Sequence, residues 1–133
     1  MAVHRFEDLI AWQRARVLAR EVYGITAREP FRKDFGLTGQ IQRAAVSTMA
    51  NIAEGFEKGR PAEFGRYLDI ARGSLAEVRS HLYIALDVGY ISDPDHSRLL
   101  TLVDDTGKVL AGLRQAQTRA TVPGTNYRVP GTS

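Results

Sequence analysis

Cysteine is missing from the chain. Disulfides, thiolate metal sites and cysteine nucleophiles go with it, and the absence fits a reducing compartment. Equally absent is any apolar run near the roughly 20 residues that span a bilayer. The chain meets Arg5, Glu7 and Asp8 before any apolar stretch, so neither a signal peptide nor a membrane association is expected, and a cytoplasmic location is. No GxxxxGK[ST], GxGxxG, HExxH or GxSxG pattern occurs, which leaves phosphate-loop, dinucleotide, zinc-protease and serine-hydrolase chemistry without support. The histidines are His4, His81 and His96, and none follows a glutamate by three positions as a di-iron bundle requires. Glu77 and His81 stand four apart, a spacing more typical of a surface contact than of a metal site. Tyr83 and Tyr90 offer acidic protons but no evident partner. No catalytic residue, metal or cofactor is therefore expected, and the chain is not expected to be an enzyme.

What remains is an ordinary globular composition, with 44% apolar and 25% charged residues in 133, enough for one core and too little for two. Arginine supplies 15 of the 18 basic side chains in a net charge of +3. Residues 1–60 carry ten Lys/Arg against seven Asp/Glu, residues 61–118 six against eight, and the last fifteen two against none. The planar guanidinium fork suits phosphates and interface carboxylates alike, while a solvated, partly paired surface is the plainer account of so small an excess.

The apolar spacing predicts four helices. The first, Asp8 to Ala27, carries Ala11, Ala15, Leu18, Val22 and Ile25 in steps of four and three, broadened by Trp12, Ala19 and Tyr23. Phe6 stands before it as a candidate staple. After a loop with Pro30, Arg32, Lys33, Asp34 and Gly36, the second helix is expected from an N-cap at Thr38 to about Gly55. The third starts at Pro61 and closes at Gly89; Phe64, Leu68, Ala71, Leu75, Val78, Leu82 and Ala85 form an unbroken four-three seam. Such a seam predicts near-antiparallel packing at about +20°. The fourth has Asp93 as N-cap, Pro94 at the first position, and Leu99, Val103, Thr106, Leu110 and Leu113 inward, fading near Gln117. Short connections make this an all-α, antiparallel, up-down-up-down four-helix bundle over residues 1–118, followed by a flexible tail, RATVPGTNYRVPGTS, over 119–133.

The second helix departs from a simple amphipathic pattern. Ile41, Ala45, Thr48 and Ile52 form its core stripe, and Val46, Ala50 and Ala53 form a second apolar face at about 80–140° from Ala45. One side of a bundle helix is covered by its own chain, so this face is expected to meet another subunit. A polar strip of Arg43, Ser47, Asn51 and Glu54 completes the helix. Two accounts of the strip stand: plain exposure, or a network in which Glu54 meets Arg43 or Arg72, the partner a buried carboxylate would require.

FEDLIAWQRA (6–15), FGLTGQIQRAAVSTMANIAEGF (35–56) and AEFGRYLDIARGSLAEVRSHLYIALDVGYI (62–91) resemble the four-helix-bundle proteins of 23S rRNA intervening sequences. NIAEG followed by IARGSL is the specific part, and the likeness spans residues 6–91. The resemblance implies a homo-oligomer, a pentameric ring, related to the accessory variability determinant of diversity-generating retroelements, a basic pentamer that binds nucleic acid and partners a reverse transcriptase. Met49 stands where that family often has proline, which implies a straighter second helix. Gln42 replaces a second basic residue before Arg43, while Arg60 stands in place of a small polar one.

The function expected from this is a non-enzymatic oligomer that binds RNA or DNA backbone through Arg14, Arg16, Arg20, Arg28, Arg32, Lys33, Arg43, Lys58 and Arg60, without reading bases. A protein-interaction scaffold, for example an accessory subunit of a reverse transcriptase, is the alternative.

Overall fold

The computed structural model describes residues 3–121. Within them a single-turn 3-10 segment, Phe6–Asp8, leads into α1 (Ile10–Thr26), and a second one, Phe31–Lys33, precedes α2 (Phe35–Lys58). The chain continues as α3 (Pro61–Asp87) and α4 (Asp93–Ala120), with no strand among the described residues.

Each boundary has a local cause. Asp34, not Thr38, caps α2: its Oδ1 accepts the Leu37 N–H at 3.0 Å. Thr38 instead sits inside the first turn and donates its hydroxyl back to the Asp34 carbonyl at 2.9 Å. A carboxylate at this position also meets the positive end of the helix dipole, an advantage a hydroxyl lacks. Gly36 is carried within the helix rather than breaking it. At the other end α2 runs three residues past Gly55 and stops where Gly59 takes φ 78°, a left-handed conformation that favours glycine. Pro61 opens α3 as expected, and Gly89, at φ 80°, follows its end. For α4 the cap is Ser92, whose Oγ accepts from Asp95 N at 3.2 Å, so Asp93 and Pro94 are both inside the first turn. This helix continues to Ala120 with Thr121 as its C-cap, so the start of the expected tail is helical; residues 122–133 of that tail lie outside the described residues. Helix α1 begins two residues later than the spacing suggested, because Phe6–Asp8 takes the tighter 3-10 turn first.

All four expected core stripes are buried, from Ala11 through Ile25, Ile41 through Ile52, Phe64 through Ala85 and Leu99 through Leu113, but Tyr23, expected to broaden the first, is exposed because it sits too far round the helix from Ala11 and Leu18. Phe6 packs edge-on against Trp12, ring centres 5.2 Å apart, and both lie against the core. Cross-contacts fix the directions. Ser47 meets Ser74 and Phe56 meets Phe64, so α2 and α3 run antiparallel. Arg79–Asp104 and Arg114–Asp69 give the same result for α3 and α4. Arg98–Glu21, together with Arg28–Asp95 just past the end of α1, closes α4 onto α1 antiparallel as well. Thus α4 is tied to both neighbours by ion pairs, whereas no residue of α2 forms one among the described residues. No helix among them is long and apolar enough to cross a membrane.

Candidate nucleic-acid interface

The nine basic residues singled out from the sequence are all exposed, but the fold divides them into separate groups. Arg28, Arg32 and Lys33 lie on the α1–α2 connection at one end of the bundle. Lys58 and Arg60 lie at the α2–α3 turn at the other end. Helix α2, with 24 residues, separates the two by about 36 Å. Arg14, Arg16 and Arg20 lie along α1, and Arg43 on α2.

Pairing divides them further. Arg28 binds Asp95 at 2.7 Å, and this bond is the main reason the Asp95 carboxyl is held below its ordinary range. Arg32 and Lys33 both engage Glu29. The connection is therefore largely self-neutralised. Lys58 lies over the Tyr67 ring, 5.7 Å from its centre. No carboxylate pairs with Arg14, Arg16, Arg20, Arg43 or Arg60 among the described residues.

At about 100° per residue, Arg20 points away from the core stripe of α1 and Arg16 lies between that outward direction and the flank toward α2, while Arg14 lies on the flank toward α4. On α2, Arg43 stands between two hollows. One, about 500 Å³, is bounded by Tyr23 of α1 and by Gly39, Gln42 and Val46 of α2. The other, about 320 Å³, lies toward α3 beside Gln40, Glu77 and His81. Glu77 and His81 thus share a hollow with Arg43, and no three His, Asp or Glu side chains among the described residues gather closely enough to hold a metal ion.

The polar strip of α2 forms a network through Ser47 and Asn51 of the expected strip, with Ser74 of α3 as partner and without the expected pairing of Glu54. Ser47 Oγ lies 2.8 Å from Ser74 Oγ, and Asn51 Nδ2 donates to Ser47 Oγ at 3.0 Å and to its carbonyl at 2.8 Å. Glu54 is exposed and pairs with neither Arg43 nor Arg72 among the described residues, so the carboxylate needs no partner. Ser74 lies beside Leu75 of the apolar α3 seam, where residue spacing alone does not single it out. The second face of α2 is only partly covered by its own chain: Val46 is 41% exposed and Ala50 is exposed, while Ala53 is half-buried.

Two further pairings were invisible in the sequence. Tyr90 donates its hydroxyl to Asp34 Oδ2 at 2.9 Å and stacks on Phe31, tying the end of α3 to the cap of α2. Tyr83 meets His96 edge-on, ring centres 4.7 Å apart; His96 is buried and its Nε2 has no hydrogen-bond partner among the described residues. Neither pair is separated by a spacing that a single sequence reveals.

The family model described as 23S rRNA-intervening sequence protein matches residues 7–112. The chain belongs to that family. Among solved structures, this family member is similar to a protein of unknown function from the S23 ribosomal protein family of Bacteroides thetaiotaomicron. The two are 22% identical, the match covers 80% of this chain and 99% of that one, and the TM-score is 0.73. At that identity the likeness carries the four-helix fold and nothing of its chemistry. No curated protein matches the sequence.

Proposed function

We propose that this protein is a non-catalytic nucleic-acid-binding protein that works as a homo-oligomer, with phosphates held by Arg16, Arg20 and Arg43. One observation carries the reading: these three guanidinium groups have no carboxylate partner among the described residues, and no acid bounds the hollow beside Tyr23. A guanidinium already held by a carboxylate must lose that contact to take a phosphate; a free one does not. The family's name, with its reference to 23S rRNA, supports RNA as the first ligand to try. Self-association through the C-terminal half of α2, at Ala50 and Ala53, leaves Arg43 open and repeats the arginine face in every subunit, and a pentameric ring repeats it five times. Phosphate-dominated binding falls steeply with salt. A fluorescence-polarisation titration of labelled RNA and DNA at low salt, with the particle mass measured by light scattering, tests the reading. Absence of binding below about 10 μM removes it, since non-specific phosphate binding alone reaches that range.

A second reading rests on Phe35, 83% exposed at the start of α2, with Ile84 and Val88 exposed at the end of α3 that packs beside it. Apolar side chains gathered at one end of the bundle suit a protein partner, such as a reverse transcriptase. A pull-down with Phe35→Ser as the control separates this reading from the first.

A further inference from the structure

Helix α1 carries Trp12, Arg16, Arg20 and Tyr23 at intervals of four, four and three, which confines them to one stripe at about 100° per residue. Two cationic groups are therefore bracketed by an aromatic ring at each end along the outer side of α1 next to α2. Arg16 already lies over the Trp12 ring, 5.6 Å from its centre. Tyr23 is 49% exposed, and the hollow of about 500 Å³ beside it has Val46 and Gly39 in its walls and Arg43 at its edge. Gly39 has a specific part in this arrangement. A Cβ built there would lie 3.1 Å from Arg43 Nη1, so the bare glycine leaves the guanidinium room to lie along α2 beside the hollow.

Duplex DNA or RNA would offer such a surface its phosphates and the base edges in its grooves but no free base face, because its bases are stacked inside. An exposed tyrosine face above an apolar wall with room beside it is suited instead to a π-surface that arrives unstacked. We propose that the α1–α2 face is a track for single-stranded nucleic acid, in which Tyr23 stacks an unpaired base over the Val46–Gly39 wall while Arg16, Arg20 and Arg43 hold the flanking phosphates. This rests on the nucleic-acid reading above and adds the strand class and the stacking residue. Because every base has a π-face, the track is tolerant of sequence.

The test uses the full chain with fluorescein-labelled oligo(U), oligo(dT) and a blunt duplex of equal length, titrated at low salt. The wild type binds the single strands more tightly than the duplex. Tyr23→Ala weakens single-strand binding about 5- to 150-fold and leaves duplex binding unchanged, whereas Tyr23→Phe, which keeps the ring, binds as the wild type does. Equal binding of single strand and duplex, unaffected by Tyr23→Ala, overturns the track and leaves the nucleic-acid reading standing. Failure of all three probes to bind the wild type overturns both. A Tyr23→Ala protein whose particle mass drops while its binding is unchanged identifies the face as a subunit contact and likewise overturns the track.

Discussion

Ser47 and Ser74 bring their hydroxyl oxygens to 2.8 Å where α2 packs on α3, with Asn51 Nδ2 reaching the same Ser47 oxygen at 3.0 Å. Two small hydroxyl side chains at a packed interface allow the helices to approach while satisfying each other. Replacing Ser74 alone by alanine leaves Ser47 with Asn51 as its remaining side-chain partner and costs about 1 kcal/mol. The double variant S47A/S74A costs less than the sum of the two single ones, because neither hydroxyl is then left unpaired. Urea denaturation of the four proteins of this double-mutant cycle measures the coupling, and strict additivity contradicts it.

Two glycines in the bundle make opposite predictions. A Cβ at Gly55 would lie 2.6 Å from Tyr67 Cβ and 2.9 Å from Phe64 Cδ1, so Gly55→Ala forces α2 and α3 apart and destabilises by about 1–3 kcal/mol. At Gly73, inside α3, a Cβ meets nothing within 4 Å, and Gly73→Ala stabilises by about 0.5–1 kcal/mol. Thermal melts of the two variants should move in opposite directions from the wild type.

The Asp34 carboxyl is held below its ordinary range, first by the Leu37 N–H and then by the Tyr90 hydroxyl; Asp34 in turn raises Tyr90 above the usual phenol range. The Asp34 contribution to stability is present above the unfolded carboxylate value near 4 and is lost as pH falls through the lowered folded value. That of Tyr90 is present below about 10 and is lost as pH rises through its raised value. Asp34→Asn should flatten the acid limb of the stability profile, and Tyr90→Phe the alkaline limb. Melting temperatures across pH 2–11 show whether each limb responds to its own substitution.

Pairing within the protein should predict which arginines matter for nucleic acid. Arg32, held by Glu29, should be nearly silent when replaced by alanine, whereas Arg20→Ala and Arg43→Ala should each weaken binding and lower the log–log salt slope by about 1. Polarisation titrations at several salt concentrations measure those slopes. A steeper loss at Arg32 than at Arg20 would contradict the assignment.

The helices and their inward stripes were readable from spacing alone, because Leu68, Val78 and their like recur at a period that only one helical face satisfies. Helix ends were less readable. Thr38 and Asp34 are both good caps four residues apart, and only the backbone geometry chooses between them. The strip from Arg43 to Glu54 is legible as polar, yet its bond across the interface goes to Ser74, a residue 27 positions away from Ser47. Residue type alone could not separate Arg20 from Arg28 either. What distinguishes them is Asp95, which α4 brings within 2.7 Å of Arg28.

That arrangement of charges has a mechanical consequence. Helix α4 is fastened to α1 and its following loop by Arg98–Glu21 and Arg28–Asp95, and to α3 by Arg79–Asp104 and Arg114–Asp69, all at the surface where dissolved ions compete. The α2–α3 boundary relies on hydroxyls and close apolar packing, which added salt barely touches. The bundle thus has one wall whose firmness follows ionic strength and one whose firmness does not. Amide hydrogens of α4 should exchange faster as salt rises while those of α2 keep their rate, so the same ions that would strip a nucleic acid from the arginine face would loosen the far side of the protein first.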